Sequence, residues 1–173
     1  MITLIAGGSK CGKSALAEKI LSQYSGRKLY IAAMQPFGEG ADEIIARHRL
    51  MRSGKGFETL ELCKSFTPEA FPTDCAAMLE DIANLTANEM FTGETVRDPF
   101  EHVMRDIKTA AERTNELIIV SNSVGCDGIP YPKETADYIR SIGRINAALA
   151  ALSDNVIECV FGIPLVLKGI IPC

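Results

Sequence analysis

Residues 7 to 14 read Gly7-Gly8-Ser9-Lys10-Cys11-Gly12-Lys13-Ser14, a complete match to GxxxxGK[ST]. Each position in that pattern has a physical task. Glycines let backbone N–H groups turn inward and approach phosphate oxygens, an approach that a Cβ blocks. Lys13 supplies a point charge for the β- and γ-phosphates, and the Ser14 hydroxyl completes a Mg²⁺ shell. A helix starting at Lys13 adds the positive end of its dipole. The apolar run Ile2 to Ala6 before the loop and the amphipathic run Lys13 to Tyr24 after it supply the strand and helix that a phosphate-binding loop requires.

A metal held this way needs a carboxylate at the end of a second strand. Glu80 and Asp81 follow the apolar run Ala76 to Leu79 and stand side by side. Strand side chains alternate between faces, so one of the two can point at the metal while the other is free to cap the following helix. The choice between them is open on sequence alone.

His48 is flanked by Arg47 and Arg49, with Arg52 one turn further on. On a helix Ile44, His48 and Arg52 share one face. Neighbouring arginines disfavour the charged imidazolium and leave a neutral, nucleophilic ring, while also neutralising an arriving triphosphate. Covalent nucleotidyl transfer needs that combination. A solvated histidine on a surface helix is the commoner reading of such a pattern taken alone. His102, in Glu101-His102-Val103, lacks such a setting and is expected at the surface.

The elements that must position these residues alternate along the chain. Strands are expected at Ile2 to Ala6, Lys28 to Ala33, Phe57 to Leu62, Ala76 to Leu79, Leu117 to Val120 and Val156 to Phe161. Helices are expected at Lys13 to Tyr24, Asp42 to Arg52, Asn84 to Phe91, Arg97 to Arg113 and Lys133 to Leu152, the last after Pro130 and Pro132. Several strands are apolar throughout, as in a parallel sheet buried on both faces. The pattern predicts an α/β three-layer domain with a mostly parallel central sheet, spanning 1–173 as one unit.

Bulk properties exclude other classes. A net charge of −4 on 173 residues is the opposite of a nucleic-acid-binding balance. The longest apolar candidate for a membrane span, Cys159 to Leu167, is broken by Gly162 and Pro164 and is far too short. The N-terminus lacks a basic segment before its apolar run and reads as a first strand rather than an export signal. Six scattered cysteines without a CxxC pair read as free thiols in a reducing cytoplasm and argue against a structural zinc.

With the phosphate loop and His48 placed, the chain from residue 2 to about 169 resembles the bifunctional adenosylcobinamide kinase and adenosylcobinamide-phosphate guanylyltransferase family of cobalamin biosynthesis. The resemblance lies in the order and spacing of many pieces. They include Gly7 to Ser14, Tyr30-Ile31-Ala32-Ala33, Arg47-His48-Arg49 with Arg52, Phe57 to Glu61, Leu79-Glu80-Asp81, Val120 to Pro130, Gly143-Arg144-Ile145-Asn146 and Gly162-Ile163-Pro164.

That resemblance implies a RecA-like P-loop domain, assembled as a homotrimer with sites near subunit boundaries. It implies that ATP or GTP phosphorylates the hydroxyl on the aminopropanol arm of a corrinoid, adenosylcobinamide. GTP then guanylylates His48, and the corrinoid phosphate takes the GMP. By the same resemblance Ile31, Ala32 and Ala33 line the nucleotide site, and Arg49, Leu50, Met51 and Arg52 lie close to the phosphates. Glu61, with Glu80 or Asp81, contacts base, ribose or metal.

Three positions depart from the family pattern. Ser123 replaces a frequent glutamate, Phe57 a frequent tryptophan, and Asp81 stands where cysteine is common. They bear on the kinase acceptor site more than on guanylyl transfer. A simple kinase with an incidental His48 predicts turnover without a covalent nucleotide. A nucleotide-gated switch predicts tight binding, slow hydrolysis and a protein partner.

Overall fold

The computed structural model describes residues 1–35, 54–93 and 96–172. The helix expected from Asp42 to Arg52, with His48 and its arginines, lies outside the described residues. Among the described residues seven strands form one sheet: β1 (Ile2–Gly7), β2 (Arg27–Ala32), β3 (Phe57–Glu61), β4 (Cys75–Glu80), β5 (Glu116–Asn122), β6 (Asn155–Val160) and β7 (Ile163–Lys168). Their spatial order is β3-β2-β4-β5-β1-β6-β7. The pairs from β3 through β6 are parallel, and β7 closes the edge antiparallel to β6.

Four α-helices are described: α1 (Lys13–Leu21), α2 (Ile82–Met90), α3 (Phe100–Arg113) and α4 (Lys133–Leu152). Alternate strand residues feed two cores. Leu4, Leu29, Ile31, Ala77, Leu79, Leu117 and Ile119 pack with Ile82 and Leu85 of α2, Val103 and Ile107 of α3, and Ile145 and Leu149 of α4. Ile5, Tyr30, Met78, Ile118, Val120 and Ile157 pack on the other face with Ala17, Ile20 and Leu21 of α1. The architecture is therefore three-layered, and burial of both faces explains why the central strands are apolar throughout.

All six expected strands are present, and α4 has the expected bounds. The other helix limits differ for local reasons. Helix α1 stops at Leu21, because Gln23 and Tyr24 bond back in short turns to Ile20 and Leu21. Helix α2 begins two residues early because Asp81 caps it, accepting from the Asn84 N–H at 2.8 Å. Helix α3 begins at Phe100, preceded by Pro99, and Asp98 accepts from the Phe100 N–H at 3.0 Å. Strand β7 was not expected. Gly162 and Pro164 read as breaks in one run, whereas Phe161 and Gly162 take positive φ and turn the chain back, and an edge strand tolerates proline.

Candidate functional site

The carboxyl ends of the parallel strands bring the chemistry-bearing residues together. Strand β1 runs into the loop, and Gly7 and Gly12 show why glycine is needed there. Both have positive φ, 147° and 102°. A Cβ on Gly7 would stand 2.5 Å from the Cys159 carbonyl oxygen, and one on Gly12 would stand 3.3 Å from the Gly162 Cα. Gly12 is also the N-cap of α1 and offers no side chain to its first-turn N–H groups. Those donors are left for a phosphate.

Lys13 is 5% exposed. Its ammonium donates to the Gly8 carbonyl at 2.5 Å and lies 3.9 Å from the Cys11 sulfur. Internal bonding therefore holds the charge inside the loop's own curve. The next residue, Ser14, donates from its hydroxyl to Glu80 Oε1 at 2.5 Å, while the Tyr30 hydroxyl donates to Glu80 Oε2 at 2.7 Å.

The two adjacent acids have separate fates. Glu80 ends β4 facing Ser14. Asp81 turns away, accepting from the Asn84 N–H and side-chain amide on one oxygen and from the Asn122 amide at 2.6 Å on the other. Burial, opposed in part by the Asn84 N–H, pushes the Asp81 carboxyl above its ordinary range, and the nearby Glu80 pushes it the same way. The Ser14 and Glu80 oxygens form a hard, all-oxygen pair of the kind Mg²⁺ takes. Asp81 is committed to its cap.

Glu61, Ala32 and Glu80 stand level across β3, β2 and β4, paired in register at the strand ends. Of the three residues expected along the second strand, Ile31 and Ala33 bury their side chains in the core and Ala32 packs on the α1 face. The Ala33 carbonyl accepts from Asn88 at 2.6 Å. Arg49, Leu50, Met51, Arg52 and His48 lie outside the described residues. His102, on α3, is partly exposed and lies 3.3 Å from an Arg105 nitrogen.

A cavity of about 590 Å³ opens beside the loop, lined by Gly8 to Gly12 on one side and by Glu158 to Gly162 on the other. The second wall was not among the expected site residues. Its signal was Gly162 directly after a strand's carboxyl end, but without β7 that glycine looked like a break. The wall is tied to the loop, since the Gly162 N–H donates to the Cys11 carbonyl at 2.8 Å. Asn122 and Tyr30 are further residues whose roles required the fold. Asn122 holds Asp81, and Tyr30 holds Glu80. Beyond Asn122, the Ser123 N–H donates to the Gly7 carbonyl at 3.0 Å and anchors the loop's start.

Comparison with known proteins supports the same reading of the fold and the loop. A family model described as cobinamide kinase / cobinamide phosphate guanyltransferase matches residues 3–167. The chain is 28% identical to the bifunctional adenosylcobalamin biosynthesis protein CobP of Pseudomonas aeruginosa, covering 98% of each chain. It is also 28% identical to the corresponding CobU protein of Salmonella typhimurium, covering 97% of this chain and 100% of that one. Among solved structures, a type III secretion ATPase of pathogenic bacteria matches with a TM-score of 0.50 at 13% identity. That match covers 95% of this chain but 56% of the ATPase, so the chain spans about half of it and the likeness is one of fold.

Proposed function

The chain belongs to the cobinamide kinase / cobinamide phosphate guanyltransferase family, and on that premise we propose that one P-loop site serves two successive steps. The family and the relatives' names make it a bifunctional cobinamide kinase and guanylyltransferase. In the first step the hydroxyl on the aminopropanol arm of adenosylcobinamide attacks the γ-phosphorus of ATP or GTP, and the nucleoside diphosphate leaves. In the second, His48 attacks the α-phosphorus of GTP and pyrophosphate leaves. The corrinoid phosphate then takes the GMP from His48, giving adenosylcobinamide-GDP.

The observation that carries this reading is the convergence of Lys13, Ser14 and Glu80 at the carboxyl end of the sheet. Lys13 leaves the Gly8 carbonyl for the β- and γ-phosphates, and the loop N–H groups hold the non-bridging oxygens. Ser14 and Glu80 would hold Mg²⁺, with Tyr30 fixing the Glu80 carboxylate, and the ion would supply neutralisation of charge developing on the phosphates. Glu61, level with Glu80 two strands away, faces the base or ribose end.

The protein works as a homotrimer in the cytoplasm. Support for a partner copy comes from the β7 edge, where Ile163, Leu165, Val166 and Leu167 are all exposed beside Phe161. The test of the function is transfer of label from γ-labelled ATP or GTP to adenosylcobinamide, followed by conversion of the phosphate to the GDP form with unlabelled GTP. Nucleotide hydrolysis with no labelled corrinoid would remove the kinase and favour a switch.

A further inference from the structure

Two cysteines that neither step uses come together at the base of the phosphate loop. The Cys159 thiol donates to the Cys11 carbonyl at 3.1 Å. Glycine positions confirm how close the two residues lie. A Cβ on Gly7 would stand 2.9 Å from the Cys11 sulfur and 2.5 Å from the Cys159 carbonyl oxygen, while one on Gly12 would stand 3.6 Å from the Cys159 sulfur. Both are free cysteines and both line the cavity. Cys11 is partly exposed, whereas Cys159 is 1% exposed on β6. Cys63 and Cys75 are occupied elsewhere, donating to the carbonyls of Met34 and Pro72.

We propose that Cys11 and Cys159 form a dithiol modification site that hydrogen peroxide closes to a disulfide, shutting the loop to nucleotide phosphates. Cys11, the sulfur reachable from the cavity, attacks one peroxide oxygen. The O–O bond breaks, Cys11 becomes a sulfenic acid, and the departing oxygen leaves as water with the thiol proton. The Cys159 sulfur then attacks the sulfenic sulfur, the S–O bond breaks, and a second water carries off the remaining proton. Two thiols lose two electrons and the peroxide gains them.

An S–S bond of about 2.05 Å is much shorter than a thiol hydrogen-bond contact. Cys159 is fixed within the sheet, so the loop is the part that moves. Cys11 is drawn toward β6, and the amides of Gly8 to Gly12 lose the curve that fits a phosphate. The gating half of the proposal rests on the reading that this loop holds nucleotide phosphates, whereas the disulfide itself does not.

The test treats the full chain with hydrogen peroxide, blocks remaining thiols and digests without reduction. The expected result is a linked Cys11–Cys159 peptide pair, lighter than the two reduced peptides by two hydrogens. Affinity for a fluorescent GTP analogue should fall at least tenfold and return with dithiothreitol. In Cys159→Ser, or Cys159→Ala if serine does not fold, no linked pair forms and dimedone traps a sulfenic acid at Cys11. Folded wild type without the linked pair would overturn the site, and a linked pair with unchanged affinity would overturn the gate. Untreated protein that fails to bind nucleotide would overturn the P-loop reading, and peptide masses alone would then decide the dithiol site.

Discussion

The centre of the sheet and its β7 edge treat their side chains in opposite ways. At the centre Lys13, Ser14, Tyr30 and Glu80 bond to one another or to the loop, and Asp81 is held by Asn84 and Asn122. These polar groups hold one another in place at the carboxyl end of the sheet, the kind of fixed arrangement that lowers the cost of reorganisation around charge. At the edge, Phe161 is 93% exposed and Leu167 65%. Apolar surface of that kind is costly in water and is stabilised when another surface covers it. The contrast is between polar groups bonded to one another and apolar side chains left exposed. The cavity joins them, because Glu158 to Gly162 lead directly into β7.

Removing the central charge should have the largest effect. Lys13→Ala is expected to lower both phosphoryl and guanylyl transfer by roughly a hundredfold or more, as loss of a preorganised group facing developing charge does. Steady-state rates with each nucleotide, on protein whose melting temperature is unchanged, are the check. Next comes Glu80→Gln, which keeps the Ser14 and Tyr30 contacts possible but removes the negative charge proposed to face the metal. Activity should fall about tenfold to a hundredfold and be partly recovered at high Mg²⁺. Equal loss at every Mg²⁺ concentration would argue that Glu80 serves the base or ribose instead.

At the edge, the double change Ile163→Lys with Leu167→Lys should convert the proposed trimer to monomer at micromolar concentration while leaving the fold intact. Sedimentation velocity reads the mass and circular dichroism the fold. A chain that is monomeric before the change would remove the trimer and leave β7 with some other partner.

The smallest effect belongs to Asp81. Its folded-state carboxyl is raised by burial, so the native chain holds the proton more tightly than the unfolded one. Native stability therefore declines as pH rises through the window just above the ordinary value of 3.8. Asp81→Asn keeps a capping side chain but cannot titrate. Its urea stability relative to wild type should climb from pH 3.5 to pH 6.5, and a flat difference would contradict the assignment.

Much of this arrangement was legible in the residues themselves. The loop, its strand and its helix are local in sequence, and apolar runs with a strict glycine pattern announce them. All six parallel-sheet strands were readable for the same reason. What could not be read was the choice between two adjacent acids, because it depends on Asn122, 41 residues away, holding Asp81. Strand β7 was missed because Pro164 forbids a central strand but not an edge one, and edge status is a property of the sheet. Ile31 and Ala33 carry core side chains, a distinction between faces that an apolar run without alternation does not reveal.

The most direct test of the central claim uses GTP labelled at the α-phosphate. Wild type and His48→Ala are incubated with Mg²⁺ and the labelled nucleotide, denatured and examined for retained label. The account predicts label on wild type that is acid-labile and alkali-stable, as a histidine phosphoramidate is, and none on the variant. Wild type that binds GTP yet retains no label would contradict covalent guanylyl transfer and leave a simple kinase on the same loop.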